Sequence, residues 1–342
     1  MLHNFNNSKK PIALTGITPT KHLTIGNYLG VIKEMVHEQK NYSYVIFIAD
    51  LHSLTGYHPP KVLHDNRQII AAMYLALGIN PDDHIIFFQS ENQDHAYLAW
   101  ILATFSAVGN LQRMTQYKDK IAKLNKQKNQ TLHIPSSLLF YPNLMASDIL
   151  LYDPEYVFVG MDQIQHLEFT KGIIEQFNKT YETKVLKNFK VKISKTTAKI
   201  KSLTDPLKKM SKSDPNPNSS IFLLDDPKLA KDKILKSVTD SENKIYYDEK
   251  NKPGISNLLN IYSGFTDTPV AEIVDKYKNK NYYQFKLDLG IVIENFLIDL
   301  QKKYHQIFKS NQYKIILEKS KQISLSITNK KINEIKETMG LN

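Results

Sequence analysis

Tyr44-Val45-Ile46-Phe47-Ile48-Ala49, ending on Asp50-Leu51-His52, is the stretch on which the fold turns. A strand with one wet face alternates apolar and polar residues. This one does not, so it reads as buried on both faces, the habit of a parallel sheet. Ile12-Ala13-Leu14-Thr15, Ile85-Ile86-Phe87-Phe88 and Tyr156-Val157-Phe158-Val159 repeat the pattern. Between them Tyr28, Leu29, Ile32, Met35 and Val36 recur at helical spacing. Stretches with Met73, Leu75 and Leu77, and with Leu98, Trp100 and Leu102, suggest further helices. Strands alternating with helices predict an α/β fold, a doubly wound parallel sheet. Beyond about Pro217 the strand-like runs stop and Lys-rich helical segments follow. They begin at a cap, Asp225-Asp226-Pro227, and carry apolar positions over Ser256 to Tyr262 and Leu287 to Leu300. The tract from Lys118 to Gln130 is expected to be a solvated, mobile insertion.

A chain of 342 residues with 42% hydrophobic content suits two cored domains. No run of 18 apolar residues is present, so no membrane partner is expected. The polar, Asn-rich start lacks an apolar targeting segment, which makes the cytoplasm the expected location. With no cysteine, disulfides and thiolate zinc sites are excluded, and the 11 His show no metal-ligand spacing. No metal site is expected. The net charge of +11 favours a polyanionic partner, but all except Arg67 and Arg113 of the 45 basic residues are lysine, a compositional bias that inflates the charge.

In a doubly wound fold ligands bind beyond the carboxyl ends of the strands. The first strand leads into Thr15-Gly16-Ile17-Thr18-Pro19-Thr20 and then Thr24-Ile25-Gly26-Asn27 at the start of a helix. Gly26 admits a ligand close to the backbone, the helix N-terminus suits a phosphate, and Asn27 can donate to phosphate or ribose. A plain capping turn reads as well, since neither a Walker A sequence nor GxGxxG is present. The second strand brings Asp50 and His52 to the same mouth, a pair that on its own is as readily structural. The fourth ends on Gly160-Met161-Asp162-Gln163, where Asp162 fits an N-cap with Gln165 three residues on. Tyr141, Met145, Asp148 and Tyr152 share one face of a helix expected to start near Pro142. A carboxylate in that stripe either meets a hidden protein donor or faces an apolar pocket whose ligand supplies one N–H or O–H. Finally, Lys209-Met210-Ser211-Lys212-Ser213, followed by Asp214-Pro215, gathers two ammonium groups and two hydroxyls. It is either a solvated basic loop or a phosphate clamp.

Read in order, TIGN at 24–27, YPNLMASDILLY at 141–152, VGMDQIQHLE at 159–168, KMSKSDPN at 209–216 and KPGISNLL at 252–259 resemble bacterial-type tryptophanyl-tRNA synthetases, a family of class I aminoacyl-tRNA synthetases. The resemblance covers nearly the whole chain. It implies a Rossmann-like catalytic domain over 10–217, including the lysine loop, and an all-helical anticodon-binding domain over 218–342. It further implies ATP-dependent conversion of L-tryptophan to its adenylate, with Mg²⁺ carried on ATP, and transfer to tRNA(Trp) by a homodimer. By matching motif, ATP contacts fall to Thr18, Pro19, Thr20, Gly26, Asn27, Gly160, Met161, Asp162, Ile200 and Lys209, Met210, Ser211, Lys212 and Ser213. Of these, Lys209, Lys212, Asn27 and Ser211 are implied to be catalytic. Asp148 is implied to accept the indole N–H, with Met145, Tyr141, Gln163 and His52 around the tryptophan. The family often carries Gln at the place of Thr18 and an acidic residue at that of Met161, which favours backbone over side-chain contacts there. The tyrosyl enzyme is the near alternative, because a phenol O–H also donates to a carboxylate. A non-catalytic RNA-binding protein of the same fold has no need of the lysine loop, and another nucleotidyltransferase has none for the helical region.

Overall fold

The structure, a computed structural model, describes residue 5 and residues 9–125, 134–193, 200–212 and 214–342. Five parallel strands form one sheet: β1 (Ile12–Ile17), β2 (Ser43–Ile48), β3 (Ile85–Phe88), β4 (Tyr156–Val159) and β5 (Lys190–Ile193). Their order is β3-β2-β1-β4-β5, so the chain reverses its direction of travel across the sheet between β1 and β4. At that point the loops leaving two neighbouring strands diverge and open a crevice. All of β2 and β3 is buried, as their unbroken apolar runs require. Lys190-Val191-Lys192-Ile193 is not such a run, because β5 is the sheet edge, where alternating lysines discourage further pairing.

Helix α1 is a succession of Ile25–Asn27, a π-helical stretch Tyr28–Ile32 and Lys33–Glu38. A widened turn of this kind is uncommon and tends to stand beside binding sites. It is followed by α2 (Pro60–Ala76), α3 (Asp94–Ala103), α4 (Thr115–Asn125), α5 (Ser137–Leu150) and α6 (Ile164–Thr180). Two expectations change here. The helix bearing Asp148 starts at Ser137, not near Pro142, which lies inside it. Leu138, four positions before Pro142, is buried and extends the apolar stripe backwards, which outweighs the one backbone hydrogen bond that proline removes. Part of the tract expected to be a mobile insertion is α4, while residues 126–133 lie outside the described residues.

The C-terminal part comprises α7 (Pro227–Leu235), α8 (Pro253–Thr266), α9 (Val270–Tyr277), α10 (Tyr282–Ser310) and α11 (Gln312–Met339). Asp226 caps α7 through Lys228 N and Leu229 N, with Pro227 at the first helical position, as the sequence indicated. This part shares a core with the sheet: Leu29 and Ile32 of α1 belong to the same buried cluster as Leu258 and Tyr262 of α8 and Phe285 of α10. Helix α11 returns to pack on β3 and α3. Among the described residues no helix is long and apolar enough to cross a membrane.

One close approach fixes where α8 begins. A Cβ on Gly254 would stand 2.3 Å from the Val238 carbonyl oxygen and 3.2 Å from Thr239 Cα, both backbone atoms that cannot swing aside. Gly254→Ala should therefore destabilise the protein by about 1–3 kcal/mol through overpacking. In urea the midpoint should fall with the slope unchanged, and an unaltered midpoint would contradict the packing.

Candidate functional site

A cavity of about 870 Å³ opens at the β1/β4 divergence, lined by residues 14–18 and Thr20 on one side and by residues 157–160, Asp162 and Gln163 on the other. Thr18, Thr20, Asn27, Gly160, Asp162, Lys209, Met210, Ser211 and Lys212 line it, as do His52, Tyr141, Met145, Asp148 and Gln163. Four expected ATP contacts do not. Pro19 and Ile200 are buried, Met161 is half exposed on the outer side of its turn, and Gly26 sits behind Met210. Ser213 lies outside the described residues.

At the phosphate-suited end, Thr24 is the N-cap of α1. Its Oγ1 accepts from Asn27 N at 3.3 Å, and Asn27 Oδ1 accepts from Thr24 N at 3.0 Å. This capping box uses the oxygen of the Asn27 amide and so fixes which end is nitrogen, leaving the NH2 as a donor to the cavity. Capping and ligand contact are thus compatible in one residue. The lysine loop is anchored opposite. Met210 N donates to Ile200 O at 2.9 Å, Ser202 N to Lys208 O at 2.9 Å, and Ser220 Oγ to Ser211 O at 3.2 Å. The Met210 side chain reaches within 3.5 Å of where a Cβ on Gly26 would stand, so the loop lies directly on the start of α1. Burial pulls the Lys212 ammonium down to about 8. A cation desolvated in this way gains more than a surface lysine when an anion arrives.

Asn257 secures the root of this loop, although only its motif was noticed in the sequence. Its Oδ1 accepts from Lys201 N at 2.8 Å, and its Nδ2 donates to Lys201 O at 3.1 Å. Lys201 in turn pairs antiparallel with Lys209. A buried side-chain amide on α8 therefore replaces a missing strand neighbour for the hairpin that carries both lysines.

At the other end, Asp148 is 1% exposed yet has three protein partners. Gln89 Nε2 donates to its Oδ1 at 2.6 Å, His95 Nδ1 lies 2.7 Å from the same oxygen, and His52 Nε2 lies 2.7 Å from Oδ2. Burial alone would push this carboxyl up, but His52, through charge and hydrogen bond, and the hydrogen bond from His95 outweigh it and hold the group below its ordinary value. His52 and Asp148 face the cavity, whereas Gln89 and His95 stand behind. A carboxylate offers about four acceptor directions, so one remains on the Oδ2 side for a ligand donor. Met145 and Tyr141 continue the wall, and Lys120 of α4 lies over the Tyr141 ring with Nζ 4.8 Å from its centroid. Burial raises the Tyr141 phenol to about 12 and lowers His166, 2.7 Å from it, to about 4, so both are neutral.

The two residues at the end of β2 part company. His52 enters the cavity, while Asp50 turns aside to Arg67, 2.8 Å away, and to Ser90 N at 2.9 Å. The N-cap expected of Asp162 is not formed. Met161–Gln163 is a 3₁₀ turn whose Met161 O already receives the amide of Ile164, and Gln163 is the residue preceding α6. The Asp162 carboxylate folds back over Gly160 and accepts from Gln163 Nε2 at 2.8 Å. Gln165, its expected reciprocal partner, instead accepts from Thr115 N at the start of α4.

A family model described as tRNA synthetases class I (W and Y) matches residues 6–298. The tryptophan–tRNA ligase of Malacoplasma penetrans is 44% identical over 328 residues, covering 96% of this chain and 97% of that protein. The crystal structure of tryptophanyl-tRNA synthetase from Mycoplasma pneumoniae superposes with a TM-score of 0.88 at 35% identity, covering 97% and 98% of the two chains. That of the Campylobacter jejuni enzyme, complexed with ADP and tryptophan, gives 0.81 at 31% identity, covering 96% and 99%.

Asn257→Ala should leave two backbone groups of Lys201 without partners, at a cost of about 1–3 kcal/mol. Amide exchange over 200–212 should accelerate while β1 to β3 stay protected. Uniform acceleration across the chain would show that Asn257 does not act on the loop locally.

Proposed function

The chain belongs to the class I tRNA synthetases of the tryptophan and tyrosine type, and from that premise we propose that it converts L-tryptophan and ATP to tryptophanyl-adenylate and pyrophosphate, then passes the aminoacyl group to tRNA(Trp) with release of AMP. The observation that carries the reading is the joining, in one cavity, of an ionised buried carboxylate on an apolar wall with a lysine pair facing a helix N-terminus. One end is built for a ring with a single donor, the other for a chain of phosphates.

In the first step a carboxylate oxygen of tryptophan attacks the α-phosphorus, and the bond to the bridging oxygen of pyrophosphate breaks. No protein nucleophile is needed, so catalysis lies in positioning and in stabilising charge on the departing phosphates. Lys209 and Lys212 take that charge, with Ser211 and the Asn27 NH2 alongside. Thr18, Thr20 and Gly160 to Asp162 hold the nucleotide across the β1/β4 mouth. Mg²⁺ is carried on the triphosphate, whose oxygens it neutralises. In the second step a hydroxyl of the terminal tRNA ribose attacks the aminoacyl carbonyl and AMP leaves.

Asp148 Oδ2 accepts the indole N–H between Met145 and Tyr141, with His52 and Gln163 nearby. Phenylalanine leaves the remaining acceptor direction of that oxygen unfilled and is rejected by ~10⁴ or more. Tyrosine carries a donor too, so its exclusion rests on the shape of the wall. Relatives above 40% identity that are tryptophan–tRNA ligases favour tryptophan as the substrate. Residues 218–342 serve as the anticodon-binding domain of a cytoplasmic enzyme. It acts as a homodimer, a reading supported by the exposed Tyr97 and Trp100, three residues apart on α3, as a face for the second copy.

Pyrophosphate exchange should depend on tryptophan, and exchange stimulated by tyrosine instead would overturn the assignment. Lys212→Ala should lower the adenylation rate by about 10²-fold or more while the KM for tryptophan stays within a few-fold. Equal losses in both would remove Lys212 from the chemistry.

The low value of Lys212 adds a pH signature. Below about 8 the free enzyme already carries the ammonium, and above it the group is increasingly neutral. Bound triphosphate restores the charge, so ATP affinity should fall as pH rises through about 8, with uptake of about half a proton per site at that pH. Calorimetry in buffers of different ionisation enthalpy measures the uptake. Lys212→Ala should abolish it, and equal uptake in both proteins would place the proton elsewhere.

A further inference from the structure

Behind Asp148 a line of buried polar groups runs from the cavity to the C-terminal helix. His95 Nδ1 meets Asp148 Oδ1 at 2.7 Å, and His95 Nε2 meets the Tyr152 hydroxyl at 2.9 Å. That hydroxyl lies 2.7 Å from Ser324 Oγ on α11, and Asn92 Nδ2 donates to Ser324 Oγ at 2.8 Å. His95, Asn92 and Ser324 are 0% exposed and Tyr152 is 1%, so water does not complete any of these contacts.

The direction of every bond in this line follows from its ends. Asn92 Oδ1 accepts from Asp94 N at 3.1 Å, which fixes the amide and makes its nitrogen an obligate donor to Ser324. The Ser324 proton then has one acceptor among the described residues, the Tyr152 oxygen. Tyr152 must send its own proton on to His95 Nε2, which therefore carries none. The imidazole proton sits on Nδ1 and points at Asp148, an obligate acceptor while ionised. No other arrangement satisfies all five groups.

We infer that Tyr152 and Ser324 are positioning residues for the amino-acid site, holding His95 as its Nδ1–H tautomer so that a string of aligned dipoles fixes the carboxylate of Asp148 toward the cavity. Hydrogen bonds aligned in series polarise one another and favour the anion at the receiving end. Helix α11 lies outside the sheet and contributes nothing else to the cavity, yet through Ser324 it sets the acceptor that reads the substrate. The tRNA-facing part of the chain and the amino-acid pocket are thereby joined by one continuous polar contact. This inference rests on the reading of Asp148 as the acceptor of the indole N–H.

The test has a spectroscopic and a kinetic arm. In protein labelled with ¹⁵N-histidine, His95 should show a protonated Nδ1 and a bare Nε2, the less common tautomer of free histidine. A proton on Nε2 would overturn the inference directly. Tyr152→Phe removes the donor to Nε2 and should shift the ¹⁵N resonance of that bare nitrogen, while Nδ1 keeps its proton toward Asp148. Ser324→Ala, which keeps a strong helix former on α11, should raise the KM for tryptophan about three- to tenfold, the worth of one buried hydrogen bond, with the KM for ATP unchanged. If both variants leave the Nε2 resonance and the tryptophan KM untouched while Asp148→Asn raises that KM, the relay is wrong and the substrate reading stands. If Asp148→Asn leaves the KM unchanged, the substrate reading is wrong and the tautomer alone judges the relay.

Discussion

An ionised carboxylate taken out of water costs several kcal/mol unless the protein surrounds it with donors, and Asp148 is such a group. Its donors come from separate places. His52 follows β2, Gln89 follows β3, and His95 stands on α3, while Asp148 itself is on α5. Four elements must keep their relative positions to within a hydrogen-bond length for the ion to persist. The neighbouring Asp50 repeats the device, tying the end of β2 to α2 through Arg67 and to the end of β3 through Ser90. The floor of the cavity is therefore set less by apolar packing, which tolerates small shifts, than by two carboxylates that do not.

The sheet was legible because its strands are buried on both faces, and burial of that kind writes an unbroken apolar run into the chain. The edge strand β5 escaped notice for the complementary reason: half exposed, it alternates lysine with Val191 and Ile193. Asp148 stood out as a charge within a stripe of rings and thioether. Its partners did not, since Gln89 and His95 lie 59 and 53 positions away, and only the fold brings them together. A signal was available for Gln89. It is the first residue beyond the carboxyl end of Ile85–Phe88, the place where the same rule had already singled out residues after three other strands. Asp162 shows the opposite failure, because its spacing to Gln165 suited a cap while a 3₁₀ turn had already satisfied the helix entry.

Helix α8 explains how the phosphate-suited end stays open without collapsing. Near its start Asn257 grips the hairpin root of the lysine loop, and at its end Gly264 and the residue capping it receive Lys33 of α1. The Lys33 ammonium lies 2.5 Å from Gly264 O and 2.6 Å from Asp267 Oδ1, a cation at a helix C-terminus where the backbone dipole favours it. One helix thus braces both walls between which a triphosphate must fit. The strain it resists is desolvation: the Lys212 ammonium is held largely out of water at the mouth, as its depressed value records. Left to itself such a loop would swing into solvent and rehydrate the Lys212 ammonium. Held at its root by a buried amide, it keeps Lys212 desolvated and poised, with Lys209 exposed beside it and free to follow the departing phosphates.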